Sequence, residues 1–393
     1  MTELFIFFFS LFFLLFSTIG YGILFNNLCF KKIIDLKEQD SIFVGFYGIF
    51  FLSLISLFTS FFFQHNFFHN ILLHTIGILL LIFLPSNNKK KFIFYLSLIT
   101  ILLLSALLIS KTHDDFSYYH LPFTKYLTEQ KIIFGMGHLN HGYNLLSSLF
   151  FLNSSFYLPY IEYYSFHFSL LFFLIFFNYF IYKEILISKN KNIIRFLYLF
   201  AFVFFNLSFN RIAEYGTDKA GQILIVLLII KLLDHVCFDK EKKINKLLFL
   251  IPLLGLCISL KTYFLPYLFL GFLLIFINIK NSQILKNIFF SKSFIFFSIL
   301  LILNFSHHFI STGCIVSPLP YTCLGNAVIW GKDINVIYEL SIWLEQWAKA
   351  GAGPNFRVQN VSEYISNVQW VPNWIEKYFF TKFLDQLSFL IFT

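Results

Sequence analysis

Four stretches of this chain, Leu4–Phe25, Phe43–Phe63, Phe92–Ser110 and Phe294–Ile310, stay apolar for the roughly 17–22 residues that a helix needs to cross a bilayer. In hydrocarbon every backbone amide must find its partner inside the protein, so such runs fold as helices packed side by side. Only 12% of the 393 residues are charged and 58% are hydrophobic. A water-soluble domain carries about a quarter charged residues, so a soluble fold is excluded. The 60 phenylalanines accompany an abundance of Ile, Asn and Lys. They reflect compositional bias, and no Phe-rich face is given functional weight. The first run lacks a basic leader, Glu3 being its only early charge, and has no small-x-small cleavage site, so a retained helix is expected.

Threading the chain gives spans near 4–26, 43–63, 67–84, 92–110, 163–182, 193–209, 220–237, 247–260, 263–279 and 293–310. The apolar run 247–279 is too long for one ordinary span. Lys261 in its middle, with Pro266 after it, predicts two short helices and a turn. With the N-terminus outside, every lysine-rich short loop falls on one side. These loops carry Lys31 and Lys32, Lys89–Lys91, Lys183 to Arg195, Lys240–Lys246, and Lys280–Lys292, more than half of the 29 Lys and Arg. That side is then cytoplasmic. The net charge of +9 is spread through these loops and carries no nucleic-acid-reading motif, so no nucleic acid partner is expected. The expected architecture is an all-α polytopic transmembrane helical bundle of about ten spans plus a terminal stub, with interfacial helices in its outer loops.

The opposite, outer face gathers the unusual polar chemistry. After the span 92–110 comes Lys111-Thr-His-Asp114-Asp115-Phe-Ser-Tyr-Tyr-His120-Leu-Pro122. Adjacent carboxylates repel, so Asp114 and Asp115 would share a proton or a cation. They could hold Mg²⁺ or Mn²⁺, or one could act as general base on a hydroxyl while the other orients it. Leu121–Gln130 predicts a short amphipathic helix, Phe134–His138 a glycine-rich turn, and Asn144–Phe151 a new helix. His138 and His141 are candidate metal ligands or sugar contacts, or simply hydrogen-bonded loop residues. Lys261, alone in an apolar run, demands a phosphate or carboxylate partner, or snorkels to water. Arg211 and Lys219 either meet a phosphate or pair with Glu214 and Asp218. Cys29, Cys237 and Cys257 read as buried small hydrophobes, whereas Cys314 and Cys323 share a polar loop where a disulfide could form.

The acidic pair after a span, the aromatic pair and the interfacial helix together resemble the GT-C superfamily of integral-membrane glycosyltransferases. Asp115-Phe-Ser-Tyr-Tyr-His-Leu-Pro122 and His141-Gly142-Tyr143-Asn144 are similar to a branch of bacterial membrane proteins associated with surface polysaccharide. So are Ser311-Thr-Gly313-Cys314 to Pro318, Tyr321-Thr322-Cys323, and the tryptophans Trp330, Trp343, Trp347, Trp370 and Trp374. The likeness covers 92–382. It implies a bacterial inner-membrane protein that takes a sugar from a polyprenyl-phosphate donor at the extracytoplasmic face and passes it to a surface glycan or lipid acceptor. Asp114 and Asp115 match the acidic motif, although the tyrosine spacing departs from the commoner Asp-Glu-x-x-Tyr form. His120, His138, His141, Arg211, Lys219 and Lys261 would support the donor phosphate.

Three regions are expected. Residues 1–310 form the transmembrane module with its outer loop 111–142, and 311–382 form an extracytoplasmic Trp-rich loop able to fold over the site. Residues 383–393 begin an apolar segment too short to span. Two rivals accompany the enzyme reading. A non-catalytic polysaccharide transport or polymerase component would more typically show internal repeats and midplane charges. A truncated, inactive homologue would fit the short final segment.

Overall fold

Each apolar run closes its own backbone hydrogen bonds as a helix, and the described residues contain helices and no strand. The computed structural model describes residues 2–30, 42–86, 88–104, 107, 115–187, 192–208, 216–238, 248–277, 282–350, 360–384 and 387. In chain order the helices are α1 (Thr2–Phe30), α2 (Val44–Thr59), α3 (Phe67–Phe83), α4 (Lys89–Leu102), α5 (Leu121–Glu129), α6 (Ser148–Ser155), α7 (Phe166–Ile187) and α8 (Asn192–Leu207). They continue with α9 (Asp218–Phe238), α10 (Ile251–Leu260), α11 (Leu268–Ile277), α12 (Ser282–Phe289), α13 (Lys292–Thr312), α14 (Ile334–Ala350), α15 (Val361–Ser366) and α16 (Trp370–Trp374).

Four helical stretches, Thr2–Phe30, Tyr163–Ile187, Asp218–Phe238 and Lys292–Thr312, are long and apolar enough to cross a membrane. The other expected spans fall on shorter helices, among them Val44–Thr59, Phe67–Phe83 and Ile251–Leu260. The break at Lys261 is as the sequence predicts. Its backbone is extended (φ −162°), ending α10, and a 3₁₀ segment, Thr262–Tyr267, leads into α11.

Two contacts explain how so many bulky residues pack. α1 lies against both α2 and α3, and glycine lets their backbones meet. A Cβ on Gly20 would stand 1.8 Å from the Gly77 carbonyl oxygen, and one on Gly48 would stand 1.9 Å from that of Thr18. Small residues at such crossings give membrane helices the close approach that dispersion attraction needs. α7 is buried on nearly every side from Phe166 to Ile181, the pattern of a central helix. At its far end Glu184 accepts from Lys231 of α9 at 3.0 Å, with the two side chains only 4% and 15% exposed. An ionised pair at this depth stands only because each charge neutralises the other.

The short helix α6 is buried along its whole length and acts as a hub. His65, in the turn between α2 and α3, bonds Ser154 through Nδ1 at 2.6 Å and Thr59 through Nε2 at 2.9 Å. His74 of α3 donates from Nε2 to the Ser155 carbonyl at 2.9 Å, which leaves Nδ1 to accept from Ser17 of α1 at 2.9 Å. His307 of α13 donates to the Leu57 carbonyl at 2.8 Å and stacks 4.1 Å from the Phe61 ring. These buried histidines tie α1, α2, α3 and α13 around α6, His65 and His74 through hydrogen bonds and His307 through its ring 4.4 Å from Phe151.

Candidate functional site

Past α4 the described chain resumes at Asp115, which precedes a π-helical turn, Phe116–His120, leading without interruption into α5. Asp114 and the residues Lys111–His113 lie outside the described residues, as do Arg211 and Glu214. Pro122 follows the π-helical turn directly, where the hydrogen-bond ladder is already offset, so the amide hydrogen it lacks breaks no regular α-helical run. α5 is amphipathic, burying Phe123, Thr124, Leu127 and Thr128 while Lys125 and Glu129 stay exposed. The glycine-rich segment then folds back. Asn140 donates to the Tyr118 carbonyl at 3.1 Å, and Gly142 lies flat on Tyr119, where a Cβ would be 2.2 Å from the ring. The helix expected at Asn144–Phe151 starts later, at Ser148. Ser147 is extended and caps it by accepting from the Leu149 amide, so residues 145–147 are spent on the cap.

Ser147 and Ser148 fix this loop to the end of α10. The Ser147 hydroxyl donates to the Leu260 carbonyl, and Ser148 bonds Ser259 at 2.8 Å. Lys261, the next residue, reaches Asp218 at the start of α9, with Nζ to Oδ1 at 2.5 Å. Asp218 also sits where a helix N-terminus favours negative charge. The Tyr119 phenol is pushed above its ordinary range, first by burial and then by the negative charges of Asp115 and Asp218. Asp115, Tyr119, Asp218 and Lys261 therefore share one electrostatic neighbourhood, assembled from three separate parts of the chain.

The remaining expected residues divide. His120 is 6% exposed and turns inward, its ring 4.3 Å from Tyr119 and 5.0 Å from Phe150 of α6. Lys219 lies over the Phe204 and Phe205 rings of α8 at 5.1 and 6.0 Å, a cation–π arrangement. Asp218 bonds Lys261 rather than Lys219, although the latter is its sequence neighbour. His138 bonds the Trp330 carbonyl at 3.1 Å, and His141 meets the Trp343 ring edge-on at 5.4 Å. Burial, followed by the nearby Lys332 ammonium, holds the His141 imidazole below its usual range. The segment 311–350 thus packs on the glycine-rich turn. It is closed on itself by the Cys314–Cys323 disulfide and anchored to the α10 end by Thr262 donating to the Ser317 carbonyl at 3.3 Å. Of the other cysteines Cys257 is buried, Cys29 half-buried, and Cys237 exposed. Cys237 departs from the expectation because it lies in the last turn of α9, where Val236 and Phe238 are exposed as well.

No group of three or more His, Cys, Asp or Glu is gathered for a metal ion among the described residues. Asp218 is the residue that sequence reading underused. Its signal was available, an acid opening a 21-residue apolar helix, but its partner lies 43 positions away.

Over residues 4–393 the chain matches the family described as Domain of unknown function (DUF8201), and it belongs to that family. No curated protein and no solved structure matches it.

Proposed function

We propose that this DUF8201 member is a membrane glycosyltransferase. It would transfer a sugar from a polyprenyl-phosphate-linked donor to a surface glycan or lipid acceptor at the extracytoplasmic face of a bacterial inner membrane. The observation that carries the reading is the shared neighbourhood of Asp115, Tyr119, Asp218 and Lys261 at the loop-bearing end of α9 and α10. A carboxylate can accept a hydroxyl proton and an ammonium can meet a lipid phosphate, the two roles that sugar transfer asks for. In this reading Asp115 takes the proton from the acceptor hydroxyl as its oxygen forms the bond to the anomeric carbon. The bond from that carbon to the phosphate oxygen breaks, and the lipid phosphate leaves with its electron pair. Lys261 exchanges Asp218 for the departing phosphate, a charge-assisted contact that strengthens as charge develops.

The reading takes the shorter apolar helices as further spans, about ten in all, and the lysine-rich loops as cytoplasmic. Asp114 would stand beside Asp115, and together they would hold a divalent cation, Mg²⁺ or Mn²⁺, if the reaction uses one. Arg211, Lys219, His138 and His141 would border the donor and acceptor.

The test is transfer of label from a polyprenyl-phosphate sugar pool by membranes containing the wild type, Asp115→Asn, Asp114→Asn/Asp115→Asn or Lys261→Met. Loss of transfer in all three variants at equal membrane abundance supports the reading. Undiminished transfer in the double aspartate variant sinks it. Thiol labelling of single cysteines placed at 138 and 243 checks the threading, and labelling of both from one side refutes it.

A further inference from the structure

The segment that packs on the glycine-rich turn carries a second set of polar and aromatic groups, on α14 and just before it. Lys332 is tied to the end of α13, its amide donating to the Thr312 carbonyl at 3.0 Å. It is half-buried, and burial pushes its ammonium below the ordinary value. Among the described residues no carboxylate pairs with it. The neighbouring Asp333 is spent on the Asn335 amide at 2.7 Å and the Asn326 side chain at 3.4 Å. A half-desolvated ammonium without a counter-charge favours an anion brought by a ligand.

His141 stands near both Lys332 and α14. Its ring meets Trp343 at 5.4 Å, and the Lys332 ammonium is close enough to hold the imidazole in its neutral form. A neutral imidazole offers one donor and one acceptor. Trp343 leaves 44% of its surface exposed and is braced edge-on by Trp347 at 5.7 Å. Glu339, a turn before Trp343, is exposed on the same face of the helix. An aromatic face beside a neutral imidazole and a carboxylate suits a sugar, because the indole covers the C–H face of a pyranose while the polar groups take its hydroxyls. A lipid surface suits it less, since anionic headgroups repel Glu339. Trp343 lies roughly 13 Å along the axis from the start of α14, beside which Lys332 sits, so the two meet different sugars of one chain.

We infer that Lys332, His141, Glu339 and Trp343 form a binding face for an acidic glycan, a uronate-type sugar placing its carboxylate at Lys332 while another ring of the same chain stacks on Trp343. His141 joins this face to the Asp115–Lys261 neighbourhood, because the adjoining Gly142 lies flat on Tyr119. The inference names the acceptor of the proposed transfer as a glycan rather than a lipid, and in that respect rests on the transfer reading; the binding itself does not.

Equilibrium dialysis of the full-length protein in neutral detergent tests this, with radiolabelled trigalacturonate and its neutral methyl ester as probes. The wild type is expected to bind the acid saturably and about fivefold or more tighter than the ester. Lys332→Gln, a change confined to one side-chain end, should bring that ratio near one, and Trp343→Ala should weaken both probes. No saturable binding by the wild type, equal binding of acid and ester, or a preference that survives Lys332→Gln overturns the inference. So does quenching of Trp343 emission by brominated-chain lipid, read as wild type minus Trp343→Phe, which would set the ring in the membrane. Binding as expected by a protein that transfers no sugar supports this inference and overturns only the transfer reading. Sugar transfer by a protein that binds neither probe overturns this inference alone.

Discussion

Breaking the Glu184–Lys231 pair is the sharpest stability test the structure offers. The carboxylate is 4% exposed and the ammonium 15%, and they meet at 3.0 Å between α7 and α9. Replacing Lys231 with Leu leaves the Glu184 charge in a nearly dry setting, and Glu184→Leu strands the ammonium. Removing one partner of a buried pair costs about 3–5 kcal/mol, because the survivor keeps its desolvation penalty without its attraction. Lys231 retains some access to water, so Glu184→Leu should fall toward the lower end, near 3 kcal/mol. The double variant Glu184→Leu/Lys231→Leu leaves no unpaired charge and loses only the Tyr198 hydroxyl's partner, so it should lie within about 2 kcal/mol of the wild type, since an apolar replacement of a buried pair is often neutral. Equilibrium unfolding in mixed micelles, followed by circular dichroism, yields all four corners of the cycle. A coupling of several kcal/mol is expected. Single variants that each cost under about 1 kcal/mol, or a double variant whose cost equals the sum of the singles, would refute the claim that these charges depend on each other.

At the site, Asp115→Asn should reduce sugar transfer by about 10²-fold or more, the usual weight of a general base, measured as initial rate at matched abundance. Asp218→Asn should leave Lys261 without its ion pair and raise the donor KM or lower kcat. Because His141 is held below the usual imidazole value, its folded form resists protonation; the stability it contributes is full above about pH 6.5 and is lost as pH falls through the lowered folded value. A fluorescence titration should therefore place the Trp343 change below about pH 6.5, and that change should vanish in His141→Asn. Replacing Cys314 and Cys323 by Ser frees a loop closed across nine positions and should cost about 2–3 kcal/mol in thermal unfolding under oxidising conditions, with no further loss on adding reductant.

Much of the architecture was legible because hydrophobicity and chain breaks act locally. The apolar runs became helices, and Lys261 marked a break because a lone ammonium and a following proline disfavour one continuous helix there. α5 was readable from the spacing of Phe123, Thr124, Leu127 and Thr128 on one face. The start of α6 was not, because Tyr143 and Asn144 end a separate turn and only Ser147 supplies the cap. Partner choice was the harder matter. Sequence proximity set Lys219 beside Asp218, but helix direction carries Lys219 toward α8 and leaves Asp218 to a lysine from another helix end. The histidines are hidden for the same reason. His65, His74 and His307 find Ser154, Ser155 and the Leu57 carbonyl only after distant helices pack, and nothing near them in sequence announces those bonds.

The serine stitches at α6 also set an order of assembly. Ser147 and Ser148 close onto Leu260 and Ser259, residues made more than a hundred positions later. Until α10 arrives, a growing chain holds a buried-to-be helix whose hydroxyls have no permanent partners and whose apolar side chains have no finished socket. Asp115 and Tyr119 cannot meet Lys261 before that moment. The polar neighbourhood is therefore a late product of folding, formed when the second half of the chain locks onto the first.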